Sequence, residues 1–255
     1  MSDLISIVTT LYNYKKYVGD LAESVKRQTY KNWEWIIVDD CSTDEPTSIL
    51  EKYLSNQVTY IRLDNNMGYS FAKNVGIRKS RGKYVVMIDA DDMLTNNSLE
   101  IRYDLMQRNP NKLWCHGEVL VKDEGVKTLS HRSLNWKKSF RKQLKRKGLN
   151  FTNNYHHRLI HAQSVMVTRA LHKKYGLYDE SLRFSSDNEM WRRLIRFGEI
   201  PAHTEKFVAI YRVHKNRMCQ SEYKKKRLKW TKQKIKVDVE VRFNEGININ
   251  NTPLL

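Results

Sequence analysis

Four short apolar runs, at residues 5–11, 33–38, 58–63 and 84–88, alternate with segments of helical period, and this alternation constrains the fold more than any other feature of the chain. After the first run, Val18, Leu21, Ala22 and Val25 share one helical face. Pro46 stands where the first turn of a helix tolerates it, ahead of the apolar face Ile49, Leu50, Tyr53 and Leu54. Runs that are apolar throughout belong to strands buried on both sides, so the pattern predicts βαβ units and a mostly parallel central sheet covered by helices, an α/β class. Ligands bind such sheets beyond the carboxyl ends of the strands, where Thr9 to Tyr12, Asp39 with Asp40, and Asp89 to Asp92 all fall. These polar clusters are expected to line one cleft.

The fourth run leads from Lys83 through Ile88 straight into Asp89, Asp91 and Asp92. Carboxylates two residues apart leave the same face of an extended backbone, and their hard oxygens suit Mg2+ or Mn2+. A cation held there would neutralise a departing diphosphate. The alternative is an acidic lead-in to the next helix, because Asn97 and Ser98 precede the periodic run Leu99, Arg102, Tyr103 and Met106. Beyond residue 108 the pattern predicts a hairpin around residues 123–125, a strand at 164–168, a helix near 189–197 and a strand at 209–213. An alternating segment at 235–243 reads as an edge strand, and residues 244–255 as a loose end.

With 255 residues, 40% of them hydrophobic, the chain has material for one substantial core. No run approaches about 18 consecutive apolar residues, and Met1 leads directly into the first strand without a basic leader region. A cytoplasmic protein is expected, with peripheral contact to a membrane as an option. Cys41, Cys115 and Cys219 are scattered, which fits reduced thiols and argues against zinc. The charge is more telling, because 46 Lys and Arg face 28 Asp and Glu, a net charge of +18. No acidic residue occurs between positions 125 and 178, where cations and histidines crowd together, and a second basic block runs from 215 to 236. Self-repulsion of this size implies a polyanionic partner, the alternative being a solvated lysine-rich surface.

The order of motifs resembles the family 2 glycosyltransferases with the GT-A fold. The resemblance is carried by Ser6 to Asn13, Trp35 to Asp44, Asn66 to Gly76, Asp89-Ala-Asp91, Gly176 to Leu182, Ser186-Asp187 and Tyr211 to His214. It implies a nucleotide-binding half at 1–97 and an acceptor half at 98–219, together one GT-A domain over 1–219, followed by a basic extension at 220–255. It further implies a UDP-sugar donor, with Asp39 accepting from the uracil N3–H, Thr10 and Tyr12 bordering the base, Asp40 beside them, and Lys73 and Asn74 near the nucleotide. Asp91 would be the principal metal ligand, Asp89 would reach the ribose or the metal, and His214 would add a ligand or hold the diphosphate. Asp187 would be the base for an inverting displacement, with Glu189 in reserve. The chain departs from the family at Lys73, commonly Arg, at Thr10, usually Pro, and at Cys41, usually Gly.

The acid-free interval coincides with the region that shapes the acceptor site in this family. An anionic acceptor follows, contacted by Trp136, Lys137, Lys138, Phe140, Arg141, Lys142, Lys145, Arg146, Tyr155, His156, His157 and His161. Aromatic residues interleaved with cations favour DNA, with sugar transferred to a hydroxylated base. The rivals are a surface-polysaccharide or lipopolysaccharide transferase held to an anionic membrane face, and a non-catalytic nucleic-acid-binding module.

Overall fold

The computed structural model describes residues 2–125, 160–182, 185–215 and 217. Strands β1 (Ile5–Leu11), β2 (Trp33–Asp39), β3 (Val58–Arg62) and β4 (Tyr84–Met87) fall on the four apolar runs. Between them lie helices α1 (Lys15–Lys26), α2 (Thr47–Leu50), which continues as a single 3-10 turn (Glu51–Tyr53), and α3 (Tyr69–Lys79). The second half contributes β5 (Met93–Leu94), α4 (Ser98–Gln107), β6 (Trp114–Asp123), β7 (Val165–Thr168), α5 (Arg169–Tyr175), α6 (Ser186–Arg196) and β8 (Ala202–Val213). The segment predicted at 235–243 lies outside the described residues.

All eight strands form one sheet in the order β3-β2-β1-β4-β7-β6-β8-β5. The first four are parallel, as the apolar runs predict. Antiparallel pairing then enters through β7, which runs against both β4 and β6, while β6 and β8 are parallel. The sheet is therefore mixed, with the parallel block carrying the first half of the chain. Its edges are the mid-length β3 and the two-residue β5, whose only partner is β8.

Alternation along the strands sends side chains into two cores. Ile5, Ile7, Leu11, Trp35, Ile37, Val86 and Ile88 face α1 and α4 through Val18, Leu21, Leu99 and Met106. Val8, Ile36, Val38, Val85 and Met87 face α3, α5 and α6 through Ala72, Ile77, Leu171, Met190, Trp191 and Leu194. On this second side the rings of Trp114 and Trp191 stack at 5.2 Å between centroids. Helix α3 lies so close to the sheet that a Cβ on Gly76 would sit 2.3 Å from a methyl of Val8, a stiff side chain on a central strand.

His172 belongs to this second core, beside Tyr178 and under the guanidinium of Arg193. Its Nδ1 lies 3.4 Å from the carbonyl of Gly176, and its Nε2 is buried with no hydrogen-bond partner among the described residues. Burial lowers its pKa from 6.5 to about 4, so the folded protein keeps the ring neutral. An unfolded chain takes up this proton below pH 6.5, and the folded one does so only near pH 4. Stability is therefore expected to fall between those values, by on the order of 3 kcal/mol from this residue. Urea denaturation at pH 7.5 and 4.5 checks it: His172→Gln should shrink the pH-dependent loss, and an unchanged loss would place its source elsewhere.

Candidate active site

Parallel register sets the rim of the cleft. Leu11 pairs with Asp39 and Val8 with Met87, so the chain leaves β1, β2 and β4 at one edge of the sheet. Two backbone bonds continue the alignment past the strands, Asp40 N–H to the Leu11 carbonyl at 2.8 Å and Ile88 N–H to the Val8 carbonyl at 3.0 Å. Beyond them, Asn13 and Cys41 adopt positive φ angles of 56° and 66°. The Cys41 backbone stands where glycine is at ease, which gives a physical reason for the glycine common at this place in the resembling family.

The acidic group at the end of β4 is close-knit. One oxygen from each of Asp89, Asp91 and Asp92 lies within 4.8 Å of the others. Asp89 accepts from the Tyr69 hydroxyl at 2.7 Å and from the Gln163 amide at 2.9 Å. Asp91 accepts from His214 Nε2 at 2.9 Å. Asp92 accepts the backbone N–H of Arg212 at 2.8 Å, and its second oxygen is buried with no partner among the described residues. Burial pushes the Asp89 carboxyl up to about 6, against the pull of Lys73, with Asp91 and Asp187 adding repulsion. Burial, with repulsion from Asp91 and Asp89, holds Asp92 well above the usual carboxylate range. Oxygen-only donors, an orphaned buried carboxylate oxygen and crowded negative charge together fit a hard divalent cation.

Elements distant in sequence brace this cluster. Arg212, next to last in strand β8, donates to the Asp91 carbonyl at 3.1 Å and to Asp20 at 2.7 Å, and its ring neighbour Tyr17 lies 4.5 Å from His214. The fully buried Arg102 of α4 donates to the carbonyls of Gln163 and Val165, fixing the segment from which Gln163 reaches Asp89. Desolvation, with the charge of Asp91, Asp89 and Asp92, raises the pKa of the half-buried Tyr14, so its hydroxyl stays protonated.

The other predicted residues are placed as follows. Asp39 is fully buried and accepts from Ser42 N–H, the Tyr60 hydroxyl and Arg62. Tyr12 is exposed beside it at the end of β1, while Thr10 is buried. Asp40 holds the loop before α3, accepting from Met67 N–H at 2.7 Å and Gly68 N–H at 2.9 Å. Asn74 turns away from this edge and clasps the backbone of Tyr178 and the carboxylate of Glu180. Lys73 is ion-paired with Asp187, in the first turn of α6. Glu189 is ion-paired with Arg193 one turn on. The ring of His161, ahead of β7, lies 5.9 Å from that of Tyr211 on β8. Trp136, Lys137, Lys138, Phe140, Arg141, Lys142, Lys145, Arg146, Tyr155, His156 and His157 lie outside the described residues.

The family model described as Glycosyl transferase family 2 matches residues 6–176, more than half of the chain. The chain belongs to this family. Among relatives, an uncharacterized glycosyltransferase of Rickettsia prowazekii is 31% identical over 202 residues, covering 78% of this chain and 61% of the relative. A Bacillus subtilis protein provisionally named the teichuronic acid biosynthesis glycosyltransferase TuaG is 26% identical, covering 89% of this chain and 86% of its own length. The chain thus spans less than two thirds of its Rickettsia relative. Among solved structures, S. aureus TarS in complex with UDP-GlcNAc superposes with a TM-score of 0.63 at 18% identity, over 85% of this chain and 60% of TarS. The Pyrobaculum calidifontis mannosyltransferase PcManGT, in complex with GDP-Man and Mn2+, gives 0.64 at 16% identity, over 85% of this chain and 59% of its own. Both likenesses establish the GT-A-type fold.

Several members of the family's cleft are not visible to sequence reasoning in this chain. Tyr69, Arg102, Gln163 and Arg212 lie far along the chain from the groups they hold, and Asp92 reads as a mere flank of Asp91. The only sequence signal is position, Tyr69 and Arg212 sitting within or beside recognised motifs.

Asp40 offers a direct test of the loop clamp. Asp40→Ala removes two charge-assisted hydrogen bonds, at about 1.5–3 kcal/mol each. Thermal unfolding should drop by several degrees, and amide exchange at Met67 and Gly68 should accelerate. Unchanged exchange at those amides would show that the loop holds itself.

Proposed function

We propose that the protein is an inverting, divalent-cation-dependent glycosyltransferase that moves a sugar from a UDP-sugar to a hydroxyl of an anionic glycan. The observation that carries this reading is the cluster of Asp89, Asp91 and Asp92, half-buried to buried and within 4.8 Å of one another, with Asp187 near enough to add to the repulsion on Asp89. Asp89, Asp91 and Asp92 would hold the cation, with His214 behind Asp91. When bound, such an ion supplies charge neutralisation to the leaving diphosphate, worth several kcal/mol at the transition state.

The chain's own groups do the rest. Asp187 accepts the proton of the acceptor hydroxyl, whose oxygen forms a bond to the anomeric carbon. The bond from that carbon to the diphosphate oxygen breaks, its electron pair leaving with UDP. One displacement inverts the configuration, and the base contributes about 10²–10⁴-fold. Tyr69 and Gln163 hold Asp89 from two sides, so its carboxylate needs no rearrangement at the moment of reaction.

A uridine donor is supported by the family resemblance and by TarS, whose structure contains UDP-GlcNAc. An anionic acceptor is supported by the acid-free interval from 125 to 178 and by the name of TuaG, which points to teichuronic acid. A hydroxylated DNA base would satisfy the same charge, without support from the names of the relatives given above. Among the described residues no helix is long and apolar enough to cross a membrane.

Calorimetry with UDP and Mn2+ should register binding that Asp91→Ala abolishes, whereas Asp187→Asn should bind UDP normally and lose transfer by at least a hundredfold. Absence of metal-dependent nucleotide binding would remove the transferase reading, and a preference for GDP would replace the uridine donor. The acceptor is separated by retention assays across a salt series. Binding to a uronic-acid polymer but not to DNA is expected; tight, steeply salt-dependent DNA retardation would restore the DNA acceptor.

A further inference from the structure

Lys73 occupies an unusual place for a lysine. It is completely buried, its ammonium pairs with the carboxylate of Asp187, and it lies 3.9 Å from the ring centre of Tyr69 and 4.7 Å from that of Tyr178. A buried ammonium needs a paired charge, and here a carboxylate and two aromatic faces provide it. The resembling family commonly has Arg at this position and brings it near the nucleotide. In this chain the side chain is enclosed over the ring of Tyr69, whose hydroxyl is committed to Asp89.

Asp187 has few other means of being held. It stands in the first turn of α6, just after Ser185 in the left-handed conformation at φ 61°, and the N-cap makes no side-chain hydrogen bond. Its carboxylate could in principle turn inward to the free N–H groups of that first turn. The pair with Lys73 draws it across to α3 instead. Tyr178, which covers the ammonium, is itself fixed by Asn74 from the same helix through both its backbone N–H and carbonyl. One face of α3 thus supplies the ammonium, one aromatic wall and the clasp for the other.

We infer that Lys73 is the positioning residue of the base: it holds the Asp187 carboxylate toward the cleft and does not serve as a ligand of the donor diphosphate. This assignment rests on Asp187 being the base, as proposed above. A cation suits the task because it pairs with the carboxylate while two aromatic faces shield it from water. The acceptor hydroxyl then meets a carboxylate already oriented, which is the condition under which a general base is effective.

The experiment compares wild type, Lys73→Met, Lys73→Arg, Asp187→Asn and the Lys73→Met/Asp187→Asn double variant. Two quantities are read: UDP affinity with Mn2+ by calorimetry, and steady-state consumption of a panel of UDP-sugars. Lys73→Met is expected to keep UDP affinity and donor KM within about twofold while kcat falls about a hundredfold, and the double variant should be no slower than Asp187→Asn alone. Lys73→Arg should recover at least tenfold of the lost kcat. A tenfold or greater loss of UDP affinity in Lys73→Met would overturn the assignment and give the ammonium to the diphosphate. Multiplicative losses in the double variant would also overturn it, since the two side chains would then act independently. Wild type that binds no UDP, or consumes no UDP-sugar, defeats the base role and this assignment together, a result distinct from either of those. Thermal unfolding of Lys73→Met separates a folding defect from the effect sought, because a folding defect lowers UDP affinity and kcat alike.

Discussion

Crowding negative charge into a buried pocket is the constraint on which this structure turns. Asp89, Asp91 and Asp92 lie close enough to repel one another in a poorly solvated setting, and burial with that repulsion raises the pKa of Asp89 and Asp92. Their neighbours are arranged as a response to that cost. Asp89 is held between a tyrosine hydroxyl and an amide, Asp91 by an imidazole, and Asp92 by a backbone N–H, with Lys73 and Arg212 contributing positive charge from opposite sides. Removing one carboxylate relieves the others, so the cluster persists because something other than stability requires it.

That requirement explains much of the architecture. The parallel block of β1, β2 and β4 would fold comfortably with apolar residues at its rim. Strand β8 traverses the sheet to place Arg212 and His214 behind the aspartates, and α3 enters only after a loop that Asp40 ties down by two N–H groups. The approach of α3 to the sheet, close enough that Gly76 leaves no room for a methyl, brings Tyr69 and Lys73 within reach of the cluster and of α6.

What was legible in the sequence follows the range of the interactions concerned. Strands β1, β2 and β4 declare themselves because burial on both faces leaves largely apolar runs, β3 at the sheet edge does so more weakly, and α4 and α6 do because one face repeats with helical period. The reach of β8 from Ala202 was not visible, since residues 203–206 are polar and half of the strand answers to its neighbour β6 instead of to its own pattern. Nor was the antiparallel entry of β7, which depends on how the chain returns to the sheet. Within the cleft, Asp89, Asp91 and Asp187 were legible as motif carboxylates. Gln163 and Arg102 were not, because an amide meeting an aspartate 74 positions away leaves no local mark. Asn74 has an engagement that its motif does not signal, because its amide secures the loop at Tyr178.

The two walls of the cleft are built from unlike materials. His214 hangs from the last rung of a ladder that joins β8 to β6 over most of its length, so Asp91 inherits the stiffness of a sheet. Asp187 rides on the opening turn of a helix entered through a left-handed residue, steadied across the gap by one ammonium. A sheet thus backs the first wall like an anvil, whereas an ion pair across the gap holds the second like a jaw.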